Sequence, residues 1–252
     1  MTGLTVHPLH VGTLRGFPAP AITYHRGWGE RLDVPMIMFV ILGGEHPIVV
    51  DTGTGTPEFT LAHHGYDLVR PDDQEPVAAL KQLGVAPEDV GTVVHTHLHW
   101  DHCSNDDLFP AAEIIVQKAE LGYAVDPLEP NRKAFQRGPG VLPPWVGVLD
   151  RIRTVDGDAP VMPGVDLVPL PGHTPGSQGV LVAGATGPLL LAGDCVDTYA
   201  NWEGDGKLSH IPSGSFTDLA AYMDSFRRIE GLGCEVIPSH DLKVLDKGVL
   251  GR

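Results

Sequence analysis

Cysteine is scarce in this sequence, and its spacing is as informative as its number. Cys103, Cys195 and Cys234 are odd in number and far apart, and no two of them form a Cys-x-x-Cys pair. That pattern excludes a disulfide framework or a thiolate zinc motif, and a reducing compartment is expected. Long apolar runs are missing too, since no stretch approaches the roughly 20 residues that span a bilayer. Residues 1–16 lack the basic start, apolar run and small-residue cleavage site of an export signal. The expected setting is cytoplasmic, without a membrane. Basic residues are in short supply, with 17 Lys and Arg against 32 Asp and Glu, for a formal net charge of −15. Such a chain repels a phosphate backbone, so nucleic acid is not an expected partner. Internal repeats of solenoid type are also absent.

What is present is an ordinary globular composition, 42% hydrophobic and 19% charged, which predicts one folded domain over residues 1–252. β-rich stretches at 4–10, 35–42 and 47–51 open the chain, with the Gly43-Gly44 pair as a hairpin signal. Residues 74–83 read as a helix with Val77, Leu80 and Leu83 on one face and Gly84 as its stop. A buried strand follows at 91–95. Further strands are expected at 113–117, 165–170, 178–182 and 188–192, and helices at 118–125 and 217–229. The Pro- and Gly-marked segment 126–144 reads as a long loop or lid. Two β-rich halves, each with its own helices, suggest an α/β fold of four layers, an αββα sandwich.

Chemistry is concentrated after the strand at 91–95, where the chain reads Thr96-His97-Leu98-His99-Trp100-Asp101-His102. Neutral imidazoles and a carboxylate suit zinc and other borderline first-row ions. A loop leaving a strand end is where sites are usually built. Side chains alternate in extended chain, so His97, His99 and Asp101 share a face, and the turn that follows swings His102 toward a neighbouring position. Two adjacent metals are within reach of such a set. Later His and Asp residues follow apolar runs in Gly- or Pro-marked turns: His173, Asp194 and His240.

The run from His97 to His102 resembles the His-x-His-x-Asp-His signature of the metallo-β-lactamase superfamily. Val49-Val50-Asp51-Thr52-Gly53 is similar to the family's strand and Asp-Thr-Gly turn, in which the aspartate supports the metal loop from behind. Pro171 to Gly176 resembles its third-histidine loop, Gly193-Asp194 its bridging aspartate, and Pro238-Ser239-His240-Asp241 its final histidine. The resemblance implies the αββα metallo-β-lactamase sandwich and two divalent ions, zinc first, with manganese, iron or cobalt as alternatives. It puts His97, His99 and His173 on one ion, Asp101, His102 and His240 on the other, and Asp194 between them.

A water shared by two such ions loses a proton near neutral pH and attacks a bound carbonyl, so no Ser or Cys nucleophile is needed. The expected reaction is hydrolysis of an ester, lactone, thioester or amide, with Asp101 able to relay the proton. The nearest resemblance is to the N-acyl homoserine lactonase group, which includes quorum-quenching and pyridoxolactonase-like enzymes. Those lactonases usually carry a tyrosine three residues after the bridging aspartate, where this chain has Asp197, with Tyr199 two residues further on. Asp197 is a candidate proton donor, or a contact for a cationic group, and Tyr199 a candidate substitute for the missing phenol. A thioesterase or another ester or amide hydrolase of the same fold is the alternative, and a non-catalytic metal- or ligand-binding protein the reading from another class. The partner expected is a small-molecule substrate, bound by a monomer or homodimer. His95 is expected to be structural, His63 and His64 to lie at the surface, and Cys103 and Cys195 to be buried thiols. Trp28, Phe135, Trp145 and Trp202 are candidates for the pocket lining.

Overall fold

The computed structural model describes residues 3–252. Among them, seven strands form a first sheet: β1 (Thr5–Pro18), β2 (Arg31–Leu42), β3 (Ile48–Val50), β4 (Asp67–Val69), β5 (Thr92–Val94), β6 (Glu113–Gln117) and β7 (Ile152–Val155). Their spatial order is β4-β1-β2-β3-β5-β6-β7. Five more, β8 (Ala159–Met162), β9 (Val165–Pro169), β10 (Gln178–Gly184), β11 (Gly187–Leu191) and β12 (Glu235–Ile237), form a second sheet in the order β12-β11-β10-β9-β8.

The period of two along each strand decides how the sheets pack. Ile37, Phe39 and Ile41 of β2, with Ile48, Val50, Val94 and Ile115, face inward and meet Val165, Leu167, Val180, Val182, Leu189 and Leu191 of the second sheet. The alternate residues Met38, Val40, Val49, Val93 and Ile114 face the other way, into a cluster that includes Ala79 and Leu80 of helix Pro76–Gln82. Helix Leu219–Leu232 covers the outside of the second sheet through Tyr222, Phe226 and Ile229, which sit on Val168, Leu170, Leu190 and Val236. Its ends follow capping chemistry: the Asp218 carboxylate accepts from Ala221 N–H at 3.0 Å, and Gly233 closes it at φ 60°. The result is the four-layer αββα sandwich.

Strand direction gathers the loops that matter. β3, β5, β6 and β7 run parallel, so Asp51 and the 95–102 loop leave the same edge of the first sheet. β9 and β11 both run antiparallel to β10, and β12 runs parallel to β11, so His173, Asp194 and His240 all follow the same edge of the second. The two edges are tied directly: Gln178 N–H donates to Thr96 C=O at 2.9 Å, and the Gln178 side-chain amide to His95 C=O at 2.8 Å.

Several expected elements shift. The first strand runs on to Pro18, eight residues beyond its expected end, bending through register breaks after His10 and Leu14. The helix expected from 74 begins only at Pro76, after a short turn at Asp72–Gln74. Its buried side is Ala79 and Leu80, and Val77 is 42% exposed, because that face alone meets β1. A helix at Pro57–His64, capped by the Thr56 hydroxyl and closed by Gly65 at φ 76°, replaces the loop expected around His63 and His64. The expected loop over 126–144 holds little regular structure, and Pro130, Lys133 and Ala134 from it wall the central cavity.

Gly172 shows how tightly the His173 loop is seated. Its φ is +138°, and a Cβ there would come within 2.4 Å of the Tyr222 Cα. Gly172→Ala is expected to cost about 3 kcal/mol of stability by overpacking and strain. Urea unfolding should show a lower midpoint at an unchanged slope.

Candidate metal centre

Among the described residues, three groups of buried or half-buried side chains bring ligand atoms within 4.8 Å of one another: His97, His99 and His173; His97, His102 and Asp194; Asp101, His102 and His240. All seven residues singled out by their motifs therefore converge: the groups share His97 and His102, and Asp194 lies among them. Its Oδ1 is 3.2 Å from both His102 Nε2 and His240 Nε2, and its Oδ2 is 3.5 Å from His173 Nε2 and 3.8 Å from His97 Nε2. The Ser239 hydroxyl donates to Asp194 Oδ1 at 2.8 Å and fixes the carboxylate's rotation.

The outer nitrogens of the imidazoles are pinned by oxygen. His102 Nδ1 donates to Asp51 Oδ2 at 2.8 Å, His173 Nδ1 to Ser215 C=O at 2.7 Å and His240 Nδ1 to Pro35 C=O at 2.9 Å. The Thr96 hydroxyl donates to Asp51 Oδ2 at 2.7 Å, which leaves it to accept from His97 Nδ1 at 3.1 Å. The inner nitrogens His97 Nε2 and His102 Nε2 are buried with no hydrogen-bond partner. His99 is turned the other way, with Nδ1 3.0 Å from His173 Nε2. Outer N–H groups held by oxygen and bare inner nitrogens are what a metal-ligating histidine requires. The donor set fits two divalent ions.

The electrostatics divide the imidazoles into neutral and charged ones. Burial, together with His102 and His99, pushes the His97 imidazole well below its usual range, and burial with His173 does the same to His99, so both are neutral donors. His102 goes the other way: against burial, the Asp194, Asp51 and Asp101 carboxylates hold its proton well above the ordinary value. Asp194 lies well below its usual value, since His102, His240 and His97 outweigh its burial. The pocket concentrates opposite charge, as a cation site does.

Asp51 and Glu120 organise the loops from behind. Asp51 has φ 58°, an unusual backbone for a residue with a side chain. It accepts from Thr96 N–H at 2.8 Å as well as from Thr96 Oγ1 and His102. Although burial opposes its charge, His102 and His95 bring its pKa down to about 2. His95 donates to Asp106 Oδ1 at 2.9 Å and lies 3.6 Å from Asp51 Oδ1. Against burial, those two carboxylates raise it to about 9, so it is a buried cation behind the metal loop. Glu120, on helix Lys118–Val125, was not singled out by any motif. Its carboxylate accepts from Leu98 N–H at 2.9 Å, from the Thr174 hydroxyl at 2.6 Å and from Gly176 N–H at 3.1 Å, strapping two ligand loops together. The signal available in the sequence was a lone acid on the otherwise apolar face of a short helix.

The centre opens into a cavity of about 260 Å³. Asp197 lies on its wall, 2% exposed, with Oδ1 lacking a partner; burial and the neighbouring Asp194 carboxylate push its acid well above the usual range. Tyr199 is not on that wall: the turn after Asp197 carries its half-buried ring onto the edge of the inter-sheet core, with Lys243 and Lys247 over it. Of the four aromatics expected at the mouth, Trp28 is 72% exposed, Trp145 is buried in the cluster around Leu98, and Trp202 stacks on His210. Phe135 alone touches a site residue, edge-on to His99 at 4.6 Å. The aromatic wall is instead Phe17, Tyr66 and Trp100, and His64, expected at the surface, is buried against Trp100. Cys103 and Cys195 are buried thiols held well above their usual pKa by burial.

Paired ligand sets at the common edge of an αββα sandwich define a dinuclear, metal-dependent hydrolase. The profile of the metallo-β-lactamase superfamily matches residues 34–240, and an N-acyl homoserine lactonase from a Bacillus species is 32% identical over 213 residues, 80% of this chain and 78% of its own length. The chain belongs to the metallo-β-lactamase superfamily. Two solved structures share its fold. One is an N-acyl homoserine lactone hydrolase with the product N-hexanoyl-L-homoserine at its catalytic metal centre (TM-score 0.77, 24% identity, 98% of this chain and 97% of that one). The other is AidC, a dizinc quorum-quenching lactonase (TM-score 0.72, 17% identity, 94% and 87%).

Asp51→Ala removes three hydrogen bonds to the metal loop while leaving every candidate ligand in place. It is expected to weaken metal affinity about 10- to 100-fold, read by competition with a chromogenic chelator. Glu120→Gln, which keeps an acceptor but not the charge, should lower affinity less.

Proposed function

We propose that this protein opens lactones by hydrolysis at a two-zinc centre. His97, His99 and His173 hold one ion, Asp101, His102 and His240 the other, and Asp194 lies between them. The observation that carries this reading is that three ligand groups, joined through His97 and His102, surround Asp194, whose carboxylate lies within 3.8 Å of four of the histidines at the floor of the cavity. The names of the Bacillus relative and of the fold neighbours support a lactone as the substrate.

Two bound zinc ions supply Lewis acidity toward a carbonyl oxygen and lower the pKa of water at the site. The chain's own groups do the rest. Asp101, half-buried at the cavity floor, takes up the proton that water loses. Asp197 offers its unpartnered oxygen to the substrate and serves the leaving ring oxygen, the part a tyrosine plays in the lactonase group. Leu14, Ile22, Val34 and Met36 exclude bulk water from one side of the cavity and strengthen each polar contact made there.

A cytoplasmic setting and a small-molecule substrate, without nucleic acid or membrane, complete the proposal for a monomer or homodimer. The free cysteines and the −15 charge support it. Among the described residues no helix is long and apolar enough to cross a membrane.

Stripping the metal and titrating zinc back tests the reading. About two equivalents should bind, and turnover of γ- and δ-lactones, followed by proton release, should fall at least about 100-fold on chelation and return with zinc. A zinc-loaded protein that cleaves thioesters or linear esters but leaves lactones intact would overturn it. Asp197→Ala should lower kcat about 100-fold with little change in zinc content, which separates substrate contact from metal binding.

A further inference from the structure

One end of the cavity has a polarity that ring opening alone leaves unexplained. Lys133 is the sole lysine or arginine on the wall, and among the described residues no carboxylate lies within ion-pair distance of it. Its ammonium donates to His64 C=O at 2.9 Å and stands 5.9 Å above the Tyr66 ring. A lysine ammonium has three donors, so capacity is left over. His64, 3% exposed, shares this wall, and both of its ring nitrogens lack a partner. Its ring lies flat on Trp100, 4.0 Å away at 12°. Burial, with Lys133 and His63 nearby, lowers its pKa to about 4, so at neutral pH it carries one donor and one acceptor. A buried imidazole with neither used is costly unless something else completes it.

Charge and size narrow what that is. The other charged side chains on the wall, Asp101, Asp194 and Asp197, lie at the metal end, so the exposed Lys133 ammonium is where the cavity can attract an anion locally in a chain of formal charge −15. The cavity, at about 260 Å³, falls just below the roughly 300–1,000 Å³ range of drug-sized ligand sites. A compact, charged substituent fits that space better than a long alkyl chain. We propose that Lys133 and His64 form a subsite for a carboxylate carried by the substrate away from its ring ester, so that the preferred substrates are small lactones bearing a free acid. Lys133 supplies the charge and the His64 N–H the direction. The link to the metal centre is short: Trp100, under His64, is flanked by His99 and Asp101, and its backbone N–H donates to Ala134 C=O at 2.9 Å, beside Lys133.

The proposal rests on the lactonase reading, and its test separates the two. Zinc-loaded protein is assayed on two lactones of equal ring and chain length, one ending in a carboxylate and the other in a methyl amide. The wild type should favour the acid at least about tenfold in kcat/KM. Lys133→Met should bring that ratio to about one, chiefly through KM, Lys133→Arg should keep it, and His64→Phe, which retains the stack on Trp100, should lower it severalfold. Lys118→Met, on an exposed helix start, is the control. Equal kcat/KM for both lactones in the wild type, or a loss in Lys133→Met that falls equally on both, would overturn the subsite. If neither lactone is opened, the lactonase reading fails and the subsite is decided by calorimetry with adipate and hexanoate. Adipate binding about tenfold tighter in the wild type, and no tighter in Lys133→Met, supports it, and equal binding in the wild type refutes it.

Discussion

Asp51 is a buried carboxylate on a left-handed backbone, and the loop that carries four of the converging side chains hangs from it. Its two oxygens accept from the backbone and hydroxyl of Thr96 and from the ring of His102, so they set where that loop starts and which nitrogen of His102 faces the cavity. Through Thr96 the same carboxylate also sets His97. A buried anion of this kind persists only if every lone pair is used. His95 adds opposite charge, standing protonated between Asp51 at 3.6 Å and Asp106 at 2.9 Å and spreading the charge over three side chains that never reach the cavity.

The same logic joins the two sheets. Ligands from the second sheet approach across an interface of Val, Ile and Leu, which holds the layers together without fixing their offset to a fraction of an ångström. Directional contacts do that work. Gln178 reaches across to the carbonyls of His95 and Thr96, and Glu120 binds Leu98 in one ligand loop and Thr174 and Gly176 in the other. At Gly176 a Cβ would fall 2.1 Å from the Glu120 backbone nitrogen, so close approach and hydrogen bonding specify the same geometry. Metal ligands need placement of this order, because a carboxylate or imidazole displaced by an ångström no longer coordinates.

Much of this was legible from residue order alone. Strand residues such as Ile37, Phe39 and Ile41 alternate with Met38 and Val40, and both sets are apolar, the pattern of a sheet covered on both faces. The residues that converge were legible because His97, His99, Asp101 and His102 are crowded into one turn after a strand, and the other three because their Gly- or Pro-marked turns resemble the family's later ligand loops. Glu120 was not legible, because one acid in a short helix reads as a solvated face until the Thr174 loop is laid over it. His64 failed for the opposite reason: a Gly-flanked pair of histidines looks exposed, and only Trp100, brought in from the metal loop, buries one of them. Tyr199 illustrates the limit of counting along a chain. It stands two residues from Asp197, yet the turn into helix Tyr199–Glu203 takes its ring away from the cavity, onto the inter-sheet core beneath Lys247.

These differences follow from where each kind of residue is anchored. Candidate ligands follow strand ends, whose positions the whole sheet determines, so their geometry is insensitive to the cavity's contents. Beside the strand residues Leu14, Phe17, Val34 and Met36, the walls come from the end of helix Pro57–His64, from residues 130–134 and from Ser213 and Ser215, segments that can change shape or charge at little cost to the core. Trp100 is the exception. It lies between His99 and Asp101, yet its ring carries His64 and its backbone N–H holds Ala134, so its position is shared by the metal centre and the outer wall. The outer wall and the loop that presents Asp101 therefore share one anchor, the indole through His64 and the backbone amide through Ala134, whereas Asp197 reaches the cavity from the opposite sheet.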